Sequence, residues 1–414
     1  MNRFLYSVLL TLILPFVPLK LLWRGFKQPA YLRHWGERFG FYNTPVNKAI
    51  VWLHCVSVGE TRAAEPLVKA LQLQYPLHQI LISHGTPTGR EASEALFGNS
   101  VQTVYLPYDV PFAVNKFLKH FKPNIGLIME TELWFNLIAA SKQRKIPLLL
   151  LNARLSEKSA KGYAKLGKLT VEGLQSLSAI AAQTADDTSR LQALGAQNIS
   201  VAGNLKFDVK PPADSLEKGL QLRSLFGEKP VFLAASTREG EEELILDAVK
   251  DLDILTVIVP RHPQRFDEVE ALIKSRGLRY LRRTTFAKPV DSDMQVILGD
   301  SMGELFTYYA ACDITLIGGS LLAYGGQNLI EAATMGKPIL IGSHTFNFAE
   351  ASNNAVAAGA ALRVKDAAEL REKIEFLLQN KSAVTNMQNA ALAFSAGSQG
   401  ATVRVMRLIA DFLD

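Results

Sequence analysis

The chain has 414 residues, 48% hydrophobic and 20% charged, with 45 Lys and Arg against 39 Asp and Glu and a net charge of +6. That length suggests about two to three domains with real cores, which excludes a disordered chain, a coiled coil and a disulfide-stapled miniprotein. A mean hydropathy of +0.09 excludes a stack of lipid-facing helices. Cys55 and Cys312 lie far apart without CxxC spacing, which fits a reducing compartment and offers no zinc site. The positive excess admits a phosphorylated ligand, anionic lipid or nucleic acid and does not choose among them.

Residues 4–23 are almost wholly apolar, approaching the ~20 residues of a spanning helix. Lys20, Arg24, Lys27, Arg33 and Arg38 crowd the downstream side, against only Arg3 and the α-amine upstream. The positive-inside rule then keeps the remainder of the chain in the cytoplasm. Trp23, Tyr31 and Trp35 among these cations suit a headgroup zone. A cleaved signal peptide lacks its small-residue site here, and a buried helix would have to accommodate Pro15 and Pro18. The expectation is a membrane anchor or interfacial helix over residues 1–24.

Short apolar runs then recur at 50–54, 79–83, 101–107, 125–129, 147–152, 179–183 and 199–203. Near-continuous apolar runs are expected of parallel strands covered on both faces. Between them lie helix-length segments such as 61–75, 111–121 and 132–144. The stretch Lys210-Pro211-Pro212-Ala213-Asp214 reads as a linker, since paired prolines continue neither helix nor central strand. The runs restart at 231–236, 254–260, 295–299, 314–319 and 338–343, and the tail from Asp366 is helical in pattern. The predicted fold is α/β: two Rossmann-like domains, 25–209 and 210–414, facing an interdomain cleft, with a last helix able to pack back on the first domain.

Candidate chemistry sits where strands end. In His54-Cys55-Val56-Ser57-Val58-Gly59-Glu60-Thr61-Arg62, Glu60 falls in a first helical turn at the carboxyl edge of the sheet. It can cap that helix or act as general base. Ser83 to Gly89 with Arg90 makes an anion-friendly loop that is not a Walker A loop. Glu130 and Glu132 occupy a strand-to-helix turn, where one can be simply the N-terminal helix acid, and Lys206 follows the last run of the first half. In the second half, Arg238, Arg261 and His262, the Met302-Gly303-Glu304 turn, Gly318-Gly319-Ser320 and Asn328-Leu329-Ile330-Glu331 all end strands or open helices. Glycines before a helix admit a phosphate, and Glu331 can accept from two ribose hydroxyls.

Rival chemistries lack their signatures. No GxGxxG opens either half, no Asp-x-Asp follows a suitable strand, and the seven histidines lack metal-ligand spacing. The basic stretch 261–288, with Arg265, Arg276, Arg279, Arg282 and Arg283, lacks aromatic interleaving. It reads as a solvated or membrane-proximal face, not as a nucleic-acid surface.

Taken in order, YLRHWGERFG, HCVSVGE, SHGTPTGRE, YLPYD, METELW, NARLS, GNLKFD, STREGEE, PRHPQRF, DSMGEL and GGQNLIEA resemble the Kdo transferases of lipopolysaccharide assembly (Kdo, 3-deoxy-D-manno-octulosonic acid). The resemblance implies an inverting GT-B glycosyltransferase that uses CMP-Kdo, no cofactor and no metal. Its acceptor would be the tetraacyl lipid A precursor (lipid IVA) at the anionic inner leaflet, and its place the cytoplasmic side of the inner membrane. By that resemblance Glu60 is the general base, and Glu130 and Lys206 stabilise the transition state. Arg261, His262, Met302, Gly303, Glu304, Asn328, Leu329, Ile330 and Glu331 bind CMP. Ser57, Gly59, Arg62 and Arg90 are candidates for acceptor or anion binding. Many members read GGHNPLEPA where this chain has Gln327, which keeps hydrogen-bonding capacity without a charge. The alternatives are a GT-B enzyme with a UDP-sugar donor and a non-catalytic lipid-binding module.

Overall fold

The computed structural model describes residues 1–414, the side chain of Ser398 excepted. The chain divides into two compact units, Met1–Asp208 with Ser398–Asp414, and Val209–Gly397.

The first unit is built on a seven-stranded parallel sheet in the order β3-β2-β1-β4-β5-β6-β7. Its strands are β1 (Ile50–Cys55), β2 (Gln79–His84), β3 (Gln102–Tyr105), β4 (Ile125–Met129), β5 (Leu148–Ala153), β6 (Ala179–Ala182) and β7 (Ile199–Val201). In register, Val51 lies opposite Ile80 and Ile125. One face packs Trp52, Leu148 and Leu150 against Phe117 and Phe121. The other packs Val51, Leu53 and Leu127 against Leu67 and Leu71. Covering both faces is what makes every residue of β1, β4 and β5 apolar or internally bonded.

The last helix, Ala401–Leu413, belongs to this first unit and not to a continuous 210–414 domain. Its apolar side (Ala401, Val405, Met406, Ile409) joins the Val51–Leu67 core. The Asp208 carboxylate accepts from the Gly400 and Thr402 N–H groups at the helix start and supplies the anion that a helix N-terminus favours.

The second unit repeats the plan with a parallel sheet ordered β10-β11-β9-β8-β12-β13-β14. The strands are β8 (Val231–Thr237), β9 (Leu255–Pro260), β10 (Tyr280–Arg282), β11 (Val296–Leu298), β12 (Ile314–Ile317), β13 (Ile339–Ile341) and β14 (Ala361–Arg363). The edge strands β10 and β14 have no counterpart among the apolar runs of the sequence. Each has three residues and is incompletely buried, so neither needs an apolar run. The arginines 265–283 of the basic stretch 261–288 are ion-paired. Arg265 pairs with Glu242 at 2.6 Å, Arg282 with Glu270 at 3.0 Å and Arg283 with Glu304 at 3.2 Å. Arg276 and Arg279 pair with Asp247 and Asp293.

The amino-terminal segment forms one helical rod from Arg3 to Lys27, with mean hydropathy 2.0 over its most apolar window. A 3-10 turn, Leu14–Phe16, lets Pro15 and Pro18 sit at the starts of helical segments, where a missing N–H costs little. The rod is not a core helix, because Leu21 and Gly25 are its buried positions while Phe4 is 76% and Phe26 89% exposed. Its start is fastened to the first unit. Tyr6 donates to Asp109 at 2.9 Å, and Ser7 donates to Asn136 at 2.7 Å. Its end folds back at once, with Gly25 against Leu32 and Arg24 over the Tyr31 ring.

Candidate active site

In an open parallel sheet, ligands bind beyond the carboxyl ends of the strands, where the strand order reverses. In the first unit that point lies between β1 and β4. It collects Glu60 after β1 and Glu130 and Glu132 after β4.

Glu60 is set by local chain chemistry. Ser57 is extended and caps the helix Val58–Ala63. The Ser57 hydroxyl donates to Glu60 Oε1 at 2.8 Å, and the Val56 N–H donates to Oε2 at 2.7 Å. This reciprocal cap fixes the carboxylate without using all its lone pairs. The cap reading of Glu60 therefore holds, and lone pairs of the carboxylate stay open. Burial raises its pKa first. The Val56 and Ser57 hydrogen bonds oppose this, Glu130 adds to it, and Lys206 lowers it.

Glu130 adopts φ 57°, left-handed for a side chain that is not glycine. Its N–H pairs with Leu151 O at 2.9 Å, and the Thr131 hydroxyl donates to Arg154 O. Neither Glu130 nor Glu132 opens a helix, which begins only at Phe135. The start is delayed because Asp109, from a distant segment, accepts from Asn136 N–H at 3.0 Å and Leu137 N–H at 2.8 Å. Burial nonetheless pushes Asp109 up to about 6. Glu132, outside the helix, is pushed up to about 7, first by burial and then by the charges of Glu60 and Glu130.

Lys206 comes from the turn Leu205–Phe207 after β7. Leu205 N–H donates to Asn152 Oδ1, and Lys206 N–H to Asn204 Oδ1, each at 3.0 Å. The ammonium then stands 3.1 Å from Glu130 Oε1. Of the other candidates, Arg62 and Gly59 are exposed and the Ser57 hydroxyl is engaged in the cap. Arg90 is held by Glu37 at 2.8 Å and Glu94 at 3.0 Å. Beneath the carboxylates, burial lowers His54 to about 4 and His84 to about 3, so neither adds charge at neutral pH.

In the second unit the reversal lies between β8 and β12. Buried Glu241 locks the two strand ends together, accepting from Arg238 N–H at 2.9 Å, Gly319 N–H at 2.6 Å and Leu321 N–H at 2.9 Å. Gly318 permits the close approach, since a Cβ there would meet Ser236 O at 2.4 Å. The STREGEE sequence carries this acid, but its contact with a segment some 80 residues on is not a local signal.

Arg261 is placed by its N–H to Thr237 O at 3.0 Å. Exposed His262 is lowered by desolvation and then by the charges of Arg238 and Arg261, so the locality is electropositive. Met302 is 61% exposed, and Gly303 turns with φ 81°. Glu304 receives Arg283 at 3.2 Å. Asn328 accepts from Ile330 N–H at 3.1 Å and donates to Glu331 Oε1 at 3.3 Å. Leu329 and Ile330 are each 0% exposed, so only their backbones can meet a ligand. Burial raises the Glu331 pKa, opposed by Asn328 and by the charge of Arg261. An acid, an amide, a cation and glycine turns thus share one sheet edge, as a ribose and a phosphate require.

Residues 33–209 match the family described as 3-deoxy-D-manno-octulosonic-acid transferase (kdotransferase), and residues 244–393 match glycosyl transferases group 1. The 3-deoxy-D-manno-octulosonic acid transferase of Bordetella pertussis is 42% identical over 88% of each chain. That of Haemophilus influenzae is 38% identical over 100% of this chain and 99% of its own. The fold is shared with a glycosyltransferase from Rickettsia africae, 16% identical, with a TM-score of 0.55 over 89% of this chain and 99% of that one. The chain therefore belongs to the 3-deoxy-D-manno-octulosonic acid transferases and is a GT-B glycosyltransferase.

Proposed function

We propose that the protein transfers Kdo from CMP-Kdo to lipid IVA, with inversion and without a metal, at the cytoplasmic face of the inner membrane. The observation that carries this reading is the juxtaposition of Glu60, Glu130 and Lys206 at the switch point of the first unit. Glu60 takes the proton of the acceptor hydroxyl, whose oxygen bonds to C2 of Kdo. The bond from C2 to the CMP phosphate breaks, and CMP leaves with the electron pair. Attack from the face opposite the leaving group inverts C2 and needs one base.

Positive charge develops at C2 as the leaving group departs, and the Glu130 carboxylate stabilises it electrostatically while Lys206 holds that carboxylate in place. In the second unit, Arg261 and the glycine turns neutralise the departing phosphate, and Glu331 with Asn328 receives the ribose. These cations and amides supply what a metal would otherwise supply.

The membrane reading rests on the exposed apolar rod. Tyr6 and Ser7 at its start are bonded to Asp109 and Asn136 of the first unit, which supports a rod that lies in the leaflet plane instead of crossing it. Incubation with CMP-Kdo and lipid IVA, with mass spectrometry of the lipid, tests the transfer. A lipid mass gain of one or more Kdo units with CMP release is expected. No gain, or gain only from a UDP-sugar, overturns it. The product's anomeric configuration tests inversion, and turnover in a chelator tests metal independence.

A further inference from the structure

The helix Glu157–Lys165 carries a second feature that the site does not use. Lys158, Lys161 and Lys165 are exposed, and their spacing of 3 and 4 residues sets them in one stripe along this helix, with exposed Arg154 before it and exposed Lys168 after it. The opposite side, Ala160, Tyr163 and Leu166, packs on the Trp52–Phe117 core. The cations therefore point away from the body. Among the described residues, Lys168 has an acid partner, Glu172 at 3.5 Å, while Arg154, Lys158, Lys161 and Lys165 have none. This contrasts with Arg265, Arg276, Arg279, Arg282 and Arg283, each matched to an acid.

The stripe is fixed beside the start of the apolar rod. The Met1 amine donates to Leu166 O at 3.1 Å, and Tyr6 packs edge-on against Phe135 with ring centroids 5.3 Å apart. The same helix is tied to the Glu130 loop, because Tyr163 donates to Thr131 O at 3.3 Å. In the sequence, cations crowd only the downstream end of the rod. Folding brings this stripe to the upstream end. The exposed apolar line through Phe4, Leu12, Phe16, Leu19, Trp23 and Phe26 is thus framed by Lys158, Lys161 and Lys165 at one end and exposed Arg24, Lys27 and Arg33 at the other.

We infer that the Lys158–Lys161–Lys165 stripe is a docking surface for the anionic headgroups of the bilayer, continuous with the apolar rod. An apolar strip bounded by cations at both ends matches a leaflet whose hydrocarbon meets anionic phosphates. The inference rests on the membrane reading above and adds to it which residues read the charge of the leaflet.

The test compares the full chain with its K158Q/K161Q/K165Q variant in sedimentation with phosphatidylcholine vesicles and with phosphatidylglycerol-containing vesicles. The wild type should prefer the anionic vesicles, and added salt should weaken that preference. The variant should lose about 100-fold in affinity for anionic vesicles, from roughly 1 kcal/mol per cation. Its binding to neutral vesicles and its turnover on detergent-dispersed acceptor should be unchanged. Equal binding of wild type and variant to anionic vesicles overturns the inference. So does a raised KM for dispersed acceptor with vesicle binding intact, which would assign the lysines to the acceptor's own phosphates. If the wild type binds neither vesicle, the membrane reading itself fails.

Discussion

Lys206 Nζ stands 3.1 Å from Glu130 Oε1, with both side chains about a third exposed, at 32% and 31%. The pair forms across β4 and the turn after β7, and its two charges act in opposite senses on Glu60. Glu130 raises the Glu60 pKa and Lys206 lowers it. The Glu60 carboxylate is thus poised by two neighbours that also restrain each other.

Removing one neighbour at a time should move the pH profile in opposite directions. A general base must be ionised, so the acid limb of kcat/KM reports Glu60. Lys206→Ala removes a lowering influence and should shift that limb to higher pH. Glu130→Gln removes a raising influence and should shift it to lower pH. Both variants should also lose maximal rate. Limbs that stay in place, or move together, would show that Glu60 is not the group being read.

Glu60→Gln should lower kcat by roughly 10²–10⁴-fold while CMP affinity stays near that of the wild type. Gln retains an oxygen for the Val56 N–H, so the helix cap is partly kept, and thermal unfolding should change far less than rate. Turnover near the wild-type value would reject the base assignment.

Glu132 offers a stability test with a defined sign. Its folded-state pKa of about 7 lies above the ordinary 4.5, with burial the largest cause. The folded state therefore takes up a proton, and stability falls as pH rises from about 4.5 to about 7. Glu132→Gln cannot ionise and escapes that loss. The variant should be more stable than wild type above about pH 7, with the advantage fading toward about pH 4.5. Thermal unfolding across this range checks it, and a difference independent of pH would refute it.

Glu331→Ala should weaken CMP binding by about 10- to 100-fold, the loss of hydrogen bonds to a charged acceptor. Calorimetry measures it directly. Unchanged affinity would reject the ribose contact and leave Glu331 as no more than the partner of Asn328.

Much of this architecture was legible because interior parallel strands, covered on both faces, must read as apolar runs. β1, β4, β5, β8 and β9 all do. What stayed hidden was non-local. The edge strands β10 and β14 carry Arg282 and Arg363 and need no apolar run. The late start of the helix at Phe135 depends on Asp109, and the engagement of Arg90 on Glu37, 53 residues earlier. Arg38, which read as a headgroup cation, is 5% exposed and donates to Gly85 O at 3.1 Å. The lysine spacing of the helix Glu157–Lys165 was visible in the sequence. Its place beside the apolar rod was not, because only folding sets that neighbour.

Tyr6→Phe tests how the rod sits. The Tyr6 hydroxyl reaches Asp109 Oδ2 at 2.9 Å, and Asp109 is 3% exposed. Deleting the hydroxyl leaves a buried carboxylate one donor short, at a cost of about 1–3 kcal/mol. Because Tyr6 lowers the Asp109 pKa, its loss also raises that pKa further. The penalty should therefore be largest above about pH 6, where Asp109 is ionised, and should shrink as the carboxyl protonates below it. Thermal unfolding of the full chain in phospholipid vesicles, on both sides of that pH, supplies the measurement. A rod crossing the bilayer would carry Tyr6 to the far leaflet, away from Asp109, and the substitution would then leave stability unchanged at every pH. A pH-dependent loss in the presence of lipid is the outcome that an in-plane rod requires.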